Sequence, residues 1–201
     1  MSLVDLSARE LLDRFASSDP TPGGGSAAAL SGACGAALVA MVASMAKTRT
    51  GLPEERERLE TALRWAREAG SRLRTLVDED TEAYDSVVAA YRLPKATDGE
   101  KAARKGAIAD ALGRATDVPL RTAEACLVVL KAAQEAAAHG NPNAVSDSRT
   151  AAMMAWAGLV GAAENVRINA GAPGEANAGL LEQVARATTE GRSILESLGL
   201  L

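Results

Sequence analysis

Apolar residues recur at threes and fours along most of this chain, and no segment alternates convincingly with period two. That rhythm predicts helices. Residues 4–17 carry a short amphipathic one, with Leu6, Leu11, Leu12 and Phe15 apolar. SDPTPGGG breaks it with prolines and glycines. A second helix is expected over 26–48. Pro53 opens a third, long one over 54–92, interrupted only by Gly70 and ended by LPKATDGE. A fourth covers 99–116. DVPL then predicts a kink or a new start, with Asp117 as cap and Pro119 in the first turn of a helix running to about Ala138 and stopping at Gly140. GNPNAVSDS reads as a polar connector. Residues 145–170 and 176–198 complete the set, joined by GAPGEANAG, a loop or helix start. The expected fold class is all-α: one domain over 1–201, built as a bundle of long helices.

Composition fits this picture. Of 201 residues, 47% are apolar but only 2% aromatic, so alanine does much of the packing and helix axes are expected to approach closely. Net charge is −4 with no basic stripe, so nucleic acid is not an expected partner. Cys34 and Cys126 lie in apolar helical runs, which suggests two buried thiols in a reducing compartment. The N-terminus lacks a basic region followed by an apolar run, and the expected location is cytoplasmic. Residues 26–46 carry no charge and are long enough to span a bilayer. Their Ala, Gly and Ser content argues instead for a central helix surrounded by others, so no membrane is expected.

Two helical seams contain polar residues. Leu73, Val77, Asp80, Tyr84, Val87 and Tyr91 form a heptad-like stripe with Asp80 in its middle; Asp78, Glu82 and Asp85 can face water. A carboxylate there is either an acid–base group with a raised pKa, or a paired or solvated structural one. Asp147, Ala151, Met154, Gly158, Ala162, Asn165 and Asn169 form the second seam. Asp147 and Asn169 stand about 33 Å apart on a straight helix, so they serve opposite ends or meet across a symmetric dimer. In the connector, Asn143, Ser146 or Asp147 is expected to cap the following helix. His139 is the only histidine; with no evident partner, it suits a helix C-terminus.

No CxxC pair or HExxH occurs, so no metal site is expected. GGGS is neither a P-loop nor a dinucleotide fingerprint, because no Gly-Lys-Ser/Thr follows and no strand precedes. As a glycine-rich entry to a buried helix it still offers free N–H groups to a carboxylate or phosphate. Lys47, Arg49, Arg92 and Lys95 fall at loop ends, where they are either anion-binding or simply solvated.

Four ordered stretches together resemble the cyclodeaminase/cyclohydrolase family: TPGGGSAAALSGACGAALVAMV (21–42), LVDEDTEAYDSVVAAYRLPK (76–95), VPLRTAEAC (118–126) and GNPNAVSDSRTAAMMAWAGLVGAAENVRIN (140–169). The resemblance implies a symmetric dimer with a folate site near its interface and no cofactor beyond tetrahydrofolate, the one-carbon carrier. It implies hydrolysis of 5,10-methenyltetrahydrofolate to 10-formyltetrahydrofolate, or cyclisation of 5-formiminotetrahydrofolate with loss of ammonia. No formiminotransferase half is present, which inclines the reading toward the hydrolase. Carried onto this chain, Asp80 and Asp147 are the catalytic candidates, as general base and cation stabiliser in unassigned order. Gly24, Gly25 and Ser26 would offer N–H and hydroxyl groups to the pterin or to a folate carboxylate; Asn141, Asn143 and Asn169 are the candidate hydrogen-bonding residues; Lys47 and Lys95 would hold the glutamate tail. The alternatives are a catalytically silent folate-binding or subunit-interaction protein, or a related enzyme on a non-folate amidine.

Overall fold

The computed structural model describes residues 2–171 and 175–201. Among them are six α-helices and no strand: α1 (Ala8–Phe15), α2 (Gly24–Ala43), α3 (Pro53–Tyr91), α4 (Asp98–His139), α5 (Val145–Ala170) and α6 (Glu175–Ser197). Part of the GAPGEANAG connector lies outside the described residues. The centre is α2, packed against α3, α4 and α5, with α6 laid over α4 and α5.

Small residues let α2 and α5 cross closely. A Cβ on Gly35 would fall 2.7 Å from the Ala151 carbonyl, and one on Gly158 would fall 2.6 Å from the Ala28 carbonyl and 2.8 Å from Cys126 Sγ. Ser31 Oγ donates to the Met154 carbonyl across the same crossing, at 2.8 Å. These pairings make α2 and α5 antiparallel. The start of α2 therefore lies beside the end of α5, and the end of α2 beside residues 140–151. The expected second helix ends earlier than 48. The chain leaves the helix at Ser44, and Arg56 of α3 supplies donors to the carbonyls of Ala43, Met45 and Ala46.

The expected break at DVPL does not occur. α4 continues through Pro119. A proline has no N–H for the carbonyl four residues earlier, here that of Ala115. Asn169 Nδ2 on α5 donates to that carbonyl at 2.6 Å instead. Asp117 is then no cap; it pairs with Arg121 Nε one turn on, at 2.8 Å. Replacing Asn169 by Leu leaves an internal carbonyl without its donor, an expected loss of about 1–3 kcal/mol in chemical unfolding.

Three further expectations change. Cys126 is buried, and burial pushes its thiol up to about 12, but Cys34 is exposed. α2 is long and apolar enough to cross a membrane by length and composition, with 56% of that window buried. It is not enclosed on every side: Ala27, Cys34, Ala37 and Met41 are exposed, and Met153, Ala157 and Ile168 of α5 are exposed too. Asp78 does not face water freely; it accepts hydrogen bonds from Ser2 Oγ and the Leu3 N–H, holding the N-terminal turn against α3.

Candidate active site

α3 is nearly twice as long as α2. Asp80 lies where α3 passes the start of α2, and residues 81–91 continue about 16 Å beyond it at 1.5 Å per residue. The seam therefore changes character along its length: Leu73 and Val77 are fully buried, whereas Tyr84 and Tyr91 are 44% and 52% exposed.

The first turn of any helix leaves N–H groups without helical partners. Gly23, at the N-cap position of α2, has no side chain to satisfy them. Asp80 does so from the neighbouring helix. Its Oδ2 accepts the Ser26 N–H at 2.8 Å and the Ser26 hydroxyl at 3.0 Å. Its other oxygen, Oδ1, lies against the backbone of Gly25, only 2.1 Å from where a Cβ on that glycine would be. Gly25 has to be glycine for this carboxylate to reach the helix; Gly24 has open space around it. Burial raises the Asp80 carboxyl above the ordinary range, partly opposed by the two bonds from Ser26. The side chain is thus desolvated, held through one oxygen and partly exposed.

The remaining candidates are elsewhere. Asp147 is half-buried in the first turn of α5. The antiparallel crossing puts it opposite the last turns of α2, about 20 Å along that helix from Ser26. Asn141 and Asn143 are at that same far end. Asn141 Oδ1 accepts the Asn143 N–H at 3.0 Å in a short 3-10 turn, and α5 starts after Ala144 without a side-chain cap. The expected capping by Asn143, Ser146 or Asp147 is replaced by this Asn141 turn. His139 has a neighbour that its sequence position did not reveal, Glu135 Oε2 at 3.5 Å. Lys47 and Lys95 are exposed in the loops at opposite ends of α3. Asn169 has its amide on Ala115, as above. Among the described residues of one chain, Gly24, Gly25, Ser26 and Asp80 come together at one end of α2, and Asn141, Asn143 and Asp147 lie together at the other.

Lys47 borders a surface cavity of about 410 Å³, lined also by Thr48, Arg49 and Arg56. Glu55 organises the loop beneath it. Its Oε2 accepts from Thr50 N, Thr48 Oγ1 and Gly51 N, and these bonds, that from Thr50 first, hold the carboxyl down to about 2 against an ordinary 4.5. A lowered carboxylate contributes stability that is present above the ordinary value and lost as pH falls through the lowered one. Unfolding followed between pH 5 and 2 should show this loss, and Glu55→Gln should flatten that part of the profile.

Comparison with known proteins identifies the fold. The family model described as formiminotransferase-cyclodeaminase matches residues 7–188. The chain belongs to this family. It is 46% identical over 159 residues to a methenyltetrahydrofolate cyclohydrolase of Methylorubrum extorquens, covering 79% of this chain and 76% of that protein. It is 36% identical over 168 residues to the formimidoyltransferase-cyclodeaminase of Rattus norvegicus, where the match covers 84% of this chain but 31% of the relative. The crystal structure of a formiminotetrahydrofolate cyclodeaminase from Thermotoga maritima superposes with a TM-score of 0.78 at 27% identity, covering 98% of this chain and 99% of that one. Within this family architecture, α2 and the long α3 create the contact between the glycine-rich turn and Asp80. Thr81 joins the same cluster, its Oγ1 3.3 Å from Ser26 Oγ. Sequence reasoning missed Thr81, although its place next to Asp80 was a signal.

Proposed function

We propose that the chain is a cytoplasmic methenyltetrahydrofolate cyclohydrolase that works as a symmetric homodimer with no cofactor beyond its tetrahydrofolate substrate. The observation that carries the proposal is Asp80: a desolvated carboxylate held through Oδ2 at a helix N-terminus, with its other oxygen not hydrogen-bonded among the described residues. The 46% identity to a cyclohydrolase supports the choice of reaction.

The methenyl carbon lies between two nitrogens and carries positive charge, so it is electrophilic before any catalyst acts. Water adds to it while Asp80 Oδ1 takes a proton from that water. The hydroxyl of the adduct then loses its proton as the C=O forms, and the bond from this carbon to N5 breaks with its electron pair going to N5. N5 takes the proton held by Asp80, and 10-formyltetrahydrofolate leaves with one proton released to solvent. A carboxylate with a raised pKa is a stronger base than a free one.

A second carboxylate is needed to stabilise the cation, and Asp147 stands too far away in the same chain. A two-fold axis across the exposed face of α2 and α5 would reverse the second copy. The Asp80 end of one subunit would then lie against the Asp147 end of the other, together with Asn141, Asn143 and Lys47. The same contact would cover Met41 and Met153, which are 43% and 41% exposed.

Loss of the near-ultraviolet absorbance of 5,10-methenyltetrahydrofolate, faster than in buffer, is the direct test. Mixed subunits test the shared site. Asp80→Asn and Asp147→Asn proteins are each expected to be inactive, and subunit exchange should restore about a quarter of wild-type activity, from one intact site in half of the dimers. No recovery after demonstrated exchange would place both groups' action in one subunit.

Cyclodeamination is the second reading, favoured by the near-complete superposition on the Thermotoga maritima cyclodeaminase. There N10 would attack the formimino carbon, Asp80 would take the N10 proton and pass it to the formimino nitrogen, and the bond to that nitrogen would break to release ammonia. Turnover of 5-formiminotetrahydrofolate but not of the methenyl compound would select it. Folate binding without either turnover would point to a silent homologue, and no folate binding to a different amidine.

A further inference from the structure

Three hydroxyl and carboxylate oxygens line up at the start of α2. Thr81 Oγ1 is 3.3 Å from Ser26 Oγ, and Ser26 Oγ is 3.0 Å from Asp80 Oδ2. Ser26 is fully buried, so its single hydroxyl proton cannot be shared with solvent. An ionised carboxylate only accepts, so that proton points to Asp80 Oδ2. The Ser26 oxygen is then left to accept, and Thr81 faces it.

The orientation of Thr81 differs from that of five other helical threonines. Thr75, Thr116, Thr122, Thr188 and Thr189 each turn the hydroxyl back to the carbonyl four residues earlier, the usual local alternative. Thr81 is directed across to α2 instead.

We infer that Thr81 is a positioning residue for the reaction at Asp80: its hydroxyl donates to Ser26 Oγ, fixes the Ser26 proton on Asp80 Oδ2 and so leaves Oδ1 as the basic oxygen. The inference rests on the role proposed above for Asp80. Each donor polarises the next, so the bond to the carboxylate is stronger with Thr81 in place than without it. Removing the Thr81 hydroxyl frees Ser26 to rotate, weakens support of the ionised form and raises the Asp80 pKa.

Of the other charges near that end, Glu82 and Asp85 on α3 are exposed, and the rest have their own partners. Glu79 pairs with Arg121, Arg121 also with Asp117, and Glu164 with Arg167, while Asp78 holds Ser2 and Leu3. α2 contributes no charged side chain. Burial and Ser26 are the influences on the Asp80 carboxyl.

The test compares Thr81→Val, Thr81→Ser and Thr75→Val in the full chain. In Thr81→Val the acidic limb of the kcat/KM profile should move up by about half a unit or more, with Thr81→Ser returning to the wild-type position and Thr75→Val unchanged. Carboxyl-carbon NMR titration of Asp80 in the same proteins should show the same order without any substrate. Thr81→Ala serves if the valine variant fails to fold. An unmoved Asp80 titration in either variant, or no rescue by serine, overturns the inference. Inactivity of the wild-type protein toward both folates, with the NMR shift still present, would instead refute the folate reading and leave the hydroxyl relay standing.

Discussion

Asp80→Asn should lower kcat/KM by about 10²–10⁴-fold while the bundle stays folded. Asparagine has the same shape, and its oxygen can still accept the Ser26 N–H and hydroxyl that Asp80 accepts at 2.8 and 3.0 Å. What it loses is basicity. The stability effect has the opposite sign. Burial raises the Asp80 carboxyl, so the fold prefers its neutral form. Ionising it costs stability as pH rises from the ordinary carboxylate range through the raised value. Asparagine has no such cost, and the unfolding midpoint at neutral pH should be equal to or above that of wild type. Turnover within about threefold of wild type in a well-folded Asp80→Asn protein would remove Asp80 from the chemistry.

The second large effect comes from one methyl group. In Gly25→Ala the new Cβ would lie 2.1 Å from Asp80 Oδ1, 2.5 Å from Cγ and 2.7 Å from Oδ2. No carboxyl group tolerates that approach, so Asp80 must swing away from α2 and lose both Ser26 bonds. Alanine is the better helix former by about 1 kcal/mol, which offsets part of the cost to the fold. The expected result is a fall of about 10²-fold in kcat/KM with a modest change in stability. Gly24→Ala is the control, because a Cβ there meets nothing within 4 Å. It should stay within about threefold of wild type. Placed on Asp80→Asn, Gly25→Ala should add little further loss, since both act through one carboxylate. Equal damage from the two alanines would mean that the turn matters through its backbone N–H groups rather than through Asp80.

Much of this was legible in the sequence, and the reasons differ from element to element. The three- and four-residue spacing of apolar positions, with alanine in place of strand formers, fixed the helical class and the extents of α3 and α5 within a residue or two. The ordered blocks carried the family. The uninterrupted α4 was not legible, because Pro119 breaks a helix unless something else satisfies the Ala115 carbonyl, and the donor, Asn169, is 54 residues away in sequence. The exposure of Cys34 was hidden for a similar reason: α2 is apolar on every side, so its pattern does not show which side lacks a neighbour.

The sequence by itself determined an all-α chain, its family and the presence of a carboxylate in an apolar seam, because these follow from local spacing and residue identity. Only the tertiary structure decided which of the candidate residues meet. The antiparallel crossing of α2 and α5 put Gly25, Ser26 and Asp80 at one end and Asp147, Asn141 and Asn143 at the other. The extra length of α3 placed Asp80 over the start of α2, where unpaired N–H groups and a missing side chain give it room and a partner. Helical periodicity sets which face a residue occupies. The pairing of helix ends depends on packing between segments far apart in the chain.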